Sequence, residues 1–196
     1  MKTKLFLAVV TLGAVTFFTS CNKVPVGDID LANAAVDSAK AVDAEHYAPE
    51  AFTALQDTLN AALQLVEEQK SKMFGNYTVV KEKLAYVASQ ASVVKEQAVV
   101  RKAEMKTESD TLFAELKSLI DENKTLISKA PKGKEGKAAL EAIQAEISEI
   151  ETTVNDATVL YNSENYFATV DKLKVAKEKA ISIKEELSNA ISKTKK

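Results

Sequence analysis

Few residues of this chain can carry redox, metal or thiol chemistry. The 196 residues contain one cysteine, one histidine and no tryptophan. A single cysteine excludes a disulfide scaffold within the chain and a structural zinc site built on thiolates. A single histidine cannot supply the paired Glu-x-x-His motifs of a di-iron bundle. Haem attachment through Cys-x-x-Cys-His is excluded as well. Arginine is nearly absent: Arg101 is the only one among 26 basic residues, set against 28 acidic ones. The planar guanidinium is the usual reader of phosphates and guanine edges, so nucleic acid is not an expected partner. Glycine and proline are scarce, at five and three residues, and long helices are expected from so few breakers. The 46% hydrophobic and 28% charged composition is that of a folded chain, not a disordered one. The length suits one domain of ordinary size or two small ones.

The N-terminus reads as an address. Lys2 and Lys4 precede an uncharged run, Leu5 to Ser20, that ends at Cys21. A short basic region, an apolar stretch and small residues before a cut site describe a signal peptide over residues 1–20. The run is too short for a comfortable membrane span. Phe18-Thr19-Ser20-Cys21 resembles the lipobox of bacterial lipoproteins, with Phe where Leu is commoner. That resemblance implies cleavage before Cys21, a diacylglycerol on its thiol and usually a further acyl chain, such as palmitate, on the new amine. Loss of Lys2 and Lys4 leaves 24 basic against 28 acidic residues, a formal −4. The mature chain is then held to a membrane by lipid and does not span it. By resemblance to enterobacterial sorting, Asn22 in place of Asp favours the outer membrane.

The remainder divides at its breakers. Pro25 and Gly27 fall in a tether over 21–27. Pro49, Gly75, Pro131, Gly133 and Gly136 punctuate the chain beyond it. Between them the apolar residues step by three and four, as in Phe52, Leu55, Leu59, Ala62 and Val66, or Leu140, Ile143, Ile147, Ile150, Val154 and Ala157. Sustained alternation by two is absent, so the class is all-α. The spacing predicts helices over 28–45, 49–73, 76–106, 108–129, 136–160 and 165–194, with Pro49 in a first turn. Thr107-x-x-Asp110 has the form of a capping box. Yet no Gly or Pro interrupts 76–130, so one helix of up to 55 residues also fits. The expected architecture is an elongated antiparallel bundle of tandem helical hairpins, which allows two three-helix units sharing a long helix.

An internal repeat supports two units, 28–107 and 108–196. AFTALQDTL at 51–59 aligns with ALEAIQAEI at 139–147, an offset of 88. Asn76-Tyr77 and Glu82-Lys83-Leu84 match Asn165-Tyr166 and Asp171-Lys172-Leu173 at 89. The turns at Gly75-Asn76 and Asn162–Asn165 would then be equivalent. A continuous helix between the units would give a spectrin-type tandem.

Residues 46–91 also resemble an Ala-rich helical domain of Gram-negative envelope lipoproteins, through Tyr47-Ala48-Pro49-Glu50, Gly75 and Tyr77. The resemblance implies an envelope location and a helical hairpin, and brings no activity or ligand.

Chemical motifs are sparse in the remaining residues. His46 lacks a second His or Cys as partner and reads as a turn residue. Glu67-Glu68 and Glu185-Glu186 read as solvated helix faces. The lysines from Lys172 to Lys196 alternate with Glu178, Glu185 and Glu186, which suggests a salt-laced face. Tyr77, Tyr86, Tyr161 and Tyr166 read as residues packing hairpin ends. No Gly-rich phosphate loop, nucleophile elbow or Ser-x-x-Lys set is present. The expectation is therefore no catalytic residue, no metal ligand, no cofactor and a single modification site, Cys21. The expected function is a non-catalytic, lipid-anchored envelope module facing the periplasm, structural or protein-binding. Alternatives are a surface lipoprotein contacting host or neighbouring cells, and a small-ligand-binding bundle.

Overall fold

The computed structural model describes residues 23–131 and 133–193. The expected signal peptide and Cys21 lie outside the described residues. Those residues form six helices and no strand: α1 (Val26–Lys40), α2 (Ala44–Tyr47), α3 (Pro49–Lys70), α4 (Thr78–Lys129), α5 (Lys134–Asn162) and α6 (Tyr166–Lys193). The fold is all-α.

The helices expected at 76–106 and 108–129 are one helix, α4, of 52 residues. At 1.5 Å per residue it is about 78 Å long. The capping box is not made. Thr107 turns its hydroxyl back to the Ala103 carbonyl at 3.2 Å, and Asp110 instead accepts from Tyr161 at 2.7 Å. With no residue that breaks a helix nearby, a Ser/Thr hydroxyl bonded to the i−4 carbonyl leaves the helix intact. The expected division at 107/108 falls inside this unbroken segment. The first helix is shorter at its C-terminal end than expected, because Asp43 takes a left-handed φ of 59° and α2 comes after it as a separate turn. Val26 and Gly27, assigned to the tether, are already helical. Pro49 opens α3, where its missing N–H costs no hydrogen bond.

Two three-helix bundles share α4. Its first half packs against α1 and α3, and its second half against α5 and α6. Cross-helix bonds fix the directions. Lys95 donates to Ser38 at 3.0 Å and Lys102 approaches Asp43 at 3.7 Å, so α1 runs parallel to α4. Lys174–Glu108, Lys177–Glu115 and Lys184–Glu122 make α6 parallel to the second half. Lys172–Asp156 with Lys179–Glu149 sets α5 antiparallel to α6, and Asp110–Tyr161 with Lys124–Glu151 sets it antiparallel to α4.

The buried stripes of the two bundles coincide. Leu55, Leu59 and Ala62 of α3 correspond at 88 residues to Ile143, Ile147 and Ile150 of α5. Tyr77, Val80, Leu84, Val87, Ala91, Val94 and Ala98 correspond at 89 to Tyr166, Thr169, Leu173, Ala176, Ala180, Ile183 and Leu187, and all are buried. Ala32, Val36 and Ala39 of α1 correspond at 84 to Leu116, Ile120 and Asn123. The turns agree only in part. Asn165 Oδ1 accepts from Ala168 N–H and caps α6, whereas Asn76 Oδ1 accepts from Thr78 N–H from one position before the Tyr77 N-cap of α4, which makes no side-chain cap bond. Seven residues join α3 to α4, whereas three join α5 to α6.

Candidate functional site at the junction of the two bundles

Midway along α4 the ends of four helices converge. The α1–α2 turn and α2 arrive from the first bundle, and the α5–α6 turn arrives from the second. Asp43, His46, Tyr47, Lys102, Ser163, Glu164 and Asn165 line a cleft of 330 Å³ between them.

Lys102 is its centre. The Lys102 ammonium bonds Glu164 Oε2 at 3.2 Å, lies 3.7 Å from Asp43 Oδ2, and sits 6.0 Å from the centroid of the Tyr47 ring. The Tyr47 hydroxyl donates to the Glu164 carbonyl at 3.4 Å. The His46 ring tilts against Phe167 of α6 at 6.2 Å between centroids. The Lys102–Glu164, Tyr47–Glu164 and His46–Phe167 contacts join α4 or α2 to the turn and helix that open the second bundle's last segment. Asp43 and the Tyr47 ring hold Lys102 from the first bundle.

Both acids on Lys102 stand where glycine is the least costly residue. Asp43 has φ 59° and Glu164 φ 60°, the two positive-φ non-glycine positions among the described residues. At the end of α5, Glu164 N–H bonds the Tyr161 carbonyl and Asn165 N–H the Leu160 carbonyl, each at 3.0 Å. That pairing is a Schellman closure, whose left-handed position is ordinarily glycine. A β-carbon there costs on the order of 1 kcal/mol. The same cost is met twice, and both residues return a carboxylate to one ammonium.

The local electrostatics hold the clamp charged. Burial pulls the Lys102 pKa down, but the Glu164 hydrogen bond and the charges of Glu164, Tyr47 and Asp43 outweigh it and raise the pKa. This shift is opposite in direction to the one that activates an amine nucleophile. Beside it, Tyr161 donates to Asp110, and its ring meets Phe113 at 5.7 Å and Tyr166 at 5.2 Å, both edge-on. The Asp110 hydrogen bond, then burial and the Asp110 charge, push the Tyr161 phenol up to about 12. This aromatic cluster fastens the end of α5 to α4 and to the start of α6.

Comparison of the chain with protein-family models, curated proteins and solved structures finds no match. The chemistry of the junction therefore rests on its own geometry.

The other residues singled out in the sequence lie away from the Lys102 clamp or at its margin. His46 lies in α2, exposed, beside the junction. Tyr77 and Tyr166 are buried at the starts of α4 and α6, and Tyr161 is half-buried. Tyr86 does not pack a hairpin end: it lies within α4, 56% exposed. Position 86 falls between the buried Leu84 and Val87, on the outer face of the helix. Glu67, Glu68, Glu185 and Glu186 are exposed. The C-terminal lysines do form a salt-laced face, but their partners are not the neighbouring glutamates. Lys172 pairs with Asp156, Lys174 with Glu108, Lys177 with Glu115, Lys179 with Glu149 and Lys184 with Glu122, all across helices. Among the described residues no group of three or more His, Cys, Asp or Glu is placed to hold a metal ion. No helix among them is long and apolar enough to cross a membrane. Asp43, Lys102 and Glu164 were not singled out in the sequence. They are separated by roughly sixty residues each, and a left-handed backbone at Asp or Glu leaves no motif.

Proposed function

We propose that this protein is a lipid-anchored helical strut of the bacterial cell envelope, non-catalytic, with Cys21 carrying the acyl chains. In this reading the anchor sits in the outer membrane and the helices extend into the periplasm, where the far bundle meets a protein partner. The observation that carries the proposal is α4. A single helix of 52 residues runs through both bundles, and its crossing is braced by the Lys102 clamp, which suits a rigid spacer. The lipobox-like Phe18-Thr19-Ser20-Cys21 supports the anchor, and the absence of motifs for group transfer supports a non-catalytic role.

Cys21→Ser tests it. The variant should appear as an unacylated precursor or leave the detergent-extracted membrane fraction, read by intact mass and fractionation. Unchanged acylation would remove the lipid anchor from the proposal. Protease digestion of intact cells sets the face: resistance supports the periplasm, and cleavage places the helices on the surface.

A further inference from the structure

The hairpin loop joining α3 to α4 presents Met73 and Phe74 to solvent, 89% and 79% exposed. Two large apolar side chains side by side at a loop tip are costly to leave in water. The loop is nonetheless built. Ser71 Oγ donates to the Glu68 carbonyl at 2.8 Å, and Lys72 N–H to the Gln69 carbonyl at 3.2 Å. Asn76 N–H donates to Gln69 Oε1 at 3.0 Å, and Asn76 Oδ1 in turn accepts from Thr78 N–H at 2.9 Å. Gly75 lies so close that a β-carbon on it would stand 2.6 Å from the Gln69 carbonyl oxygen. Tyr77, the next aromatic, is buried as a plug beneath. The braces fold Tyr77 inward and leave Met73 and Phe74 outward.

The position of this loop in the molecule gives it meaning. Because α1 is parallel to α4, with Ser38 opposite Lys95 and Asp43 opposite Lys102, Val26 lies abreast of residue 83 or so. That is roughly 8 Å along the axis from the start of α4. Lys23, the first described residue, is exposed at this same end. Cys21 is two residues further, at most about 7 Å of extended chain. The loop and the anchor therefore leave the molecule at one end. From Gln69 to Lys81 the chain carries Lys70, Lys72 and Lys81 and no acid, with Glu67-Glu68 and Glu82 on either side; Lys70 is also paired to Glu67 at 2.7 Å.

We infer that the α3–α4 loop is a second membrane contact. Met73 and Phe74 enter the interfacial layer of the bilayer that holds the Cys21 lipid, while Lys72 and Lys70 meet anionic phospholipid headgroups. The inference rests on the lipid-anchor reading for its geometry. Two contacts a short distance apart orient the strut, where one flexible tether would let it swing. The hydrophobic insertion and the lysines add in the manner of other peripheral anchors.

The chain contains no tryptophan, so Phe74→Trp supplies a single emitter at the tip, and Glu146→Trp, on the exposed face of α5, supplies a control. Each full-length variant is reconstituted into vesicles of phosphatidylethanolamine and phosphatidylglycerol, with and without brominated acyl chains, and acylation of Cys21 is read by mass. The expected result is short-wavelength emission quenched by the brominated chains for Phe74→Trp, with neither effect for Glu146→Trp. Solvent-like, unquenched Phe74→Trp emission in acylated protein overturns the contact and leaves the anchor standing. Short-wavelength emission without quenching overturns it in favour of burial of the tip against another copy of this chain. If Cys21 carries no acyl chain, the anchor reading fails separately. The loop is then tested in the chain from residue 21 with Cys21→Ser, mixed with the same vesicles. Its binding should fall about tenfold or more when Met73→Ser and Phe74→Ser are combined. Equal binding overturns the loop contact.

Discussion

Asn123 is fully buried in the apolar seams, as Ser109 and Thr169 are, and differs from them in a polar atom without a partner: its Nδ2 donates to the Ala180 carbonyl at 2.8 Å and its Oδ1 accepts no hydrogen bond. Its counterpart in the first bundle is Ala39, so this amide distinguishes the two seams and marks the α4–α6 register. Asn123→Asp deletes the donor and buries a carboxylate, and should cost several kcal/mol at neutral pH. Burial raises the pKa of such a carboxyl above its unfolded value near 3.9. The penalty is therefore absent below the unfolded value and complete above the folded one, so denaturant melts across acidic pH should show the variant approaching wild type as pH falls. An apolar pair of substitutions calibrates the same seam. Ile147 is buried and Glu146 exposed. Ile147→Ala should cost about 2–5 kcal/mol, and Glu146→Ala no more than about 0.5 kcal/mol. Similar losses at both would misplace the stripe of α5.

At the scale of elements, each stripe was legible in the sequence because burial follows the 3.6-residue period. Leu140 to Val154 and Val80 to Ala98 face inward as their spacing requires. The turns at Gly75-Asn76 and Asn162–Asn165 were equally visible, as was Pro49. What could not be read was how ends close. Thr107 and Asp110 have the form of a cap, yet their side chains bond elsewhere, and no local pattern announces that Asp43 and Glu164 adopt left-handed backbones. Both residues place their carboxylates on Lys102, a tertiary pairing that local propensity does not contain. Glu164→Gly separates the two effects. It relieves the backbone cost but removes the ion pair, so stability should change by less than about 1 kcal/mol while the bond to Lys102 disappears. The junction should also be alkali-sensitive. Lys102 and Tyr161 both have pKa values raised by folding, Tyr161 to about 12. Their contribution is complete below the unfolded values near 10 and is lost as pH rises through the folded ones. Ultraviolet titration should find one phenol ionising late, and Asp110→Asn should bring it back toward 10.

For the whole molecule the question is whether two bundles behave as one body. Helix α4 belongs to both cores, with Val80 to Ala98 in one and Met105 to Ile120 in the other, so unfolding either bundle removes a supporting face from the other. The Lys102 clamp, the Tyr47 bond to Glu164 and the His46–Phe167 contact tie the same boundary from outside. Those surface contacts are weak singly: exposed ion pairs contribute about 0–1 kcal/mol. The helix itself must therefore carry most of the coupling. Lys106→Pro tests this at an exposed position just past the junction. Proline removes the i−4 bond and kinks the helix at a cost of about 3 kcal/mol, without deleting any buried side chain. Wild-type protein should melt in one cooperative transition and scatter X-rays as a rod at least as long as α4, about 78 Å. The variant should melt in two steps and show a shorter maximum dimension. A single transition and unchanged length in Lys106→Pro would instead assign the coupling to the cleft around Lys102, and Lys102→Met in that background should then split the transition.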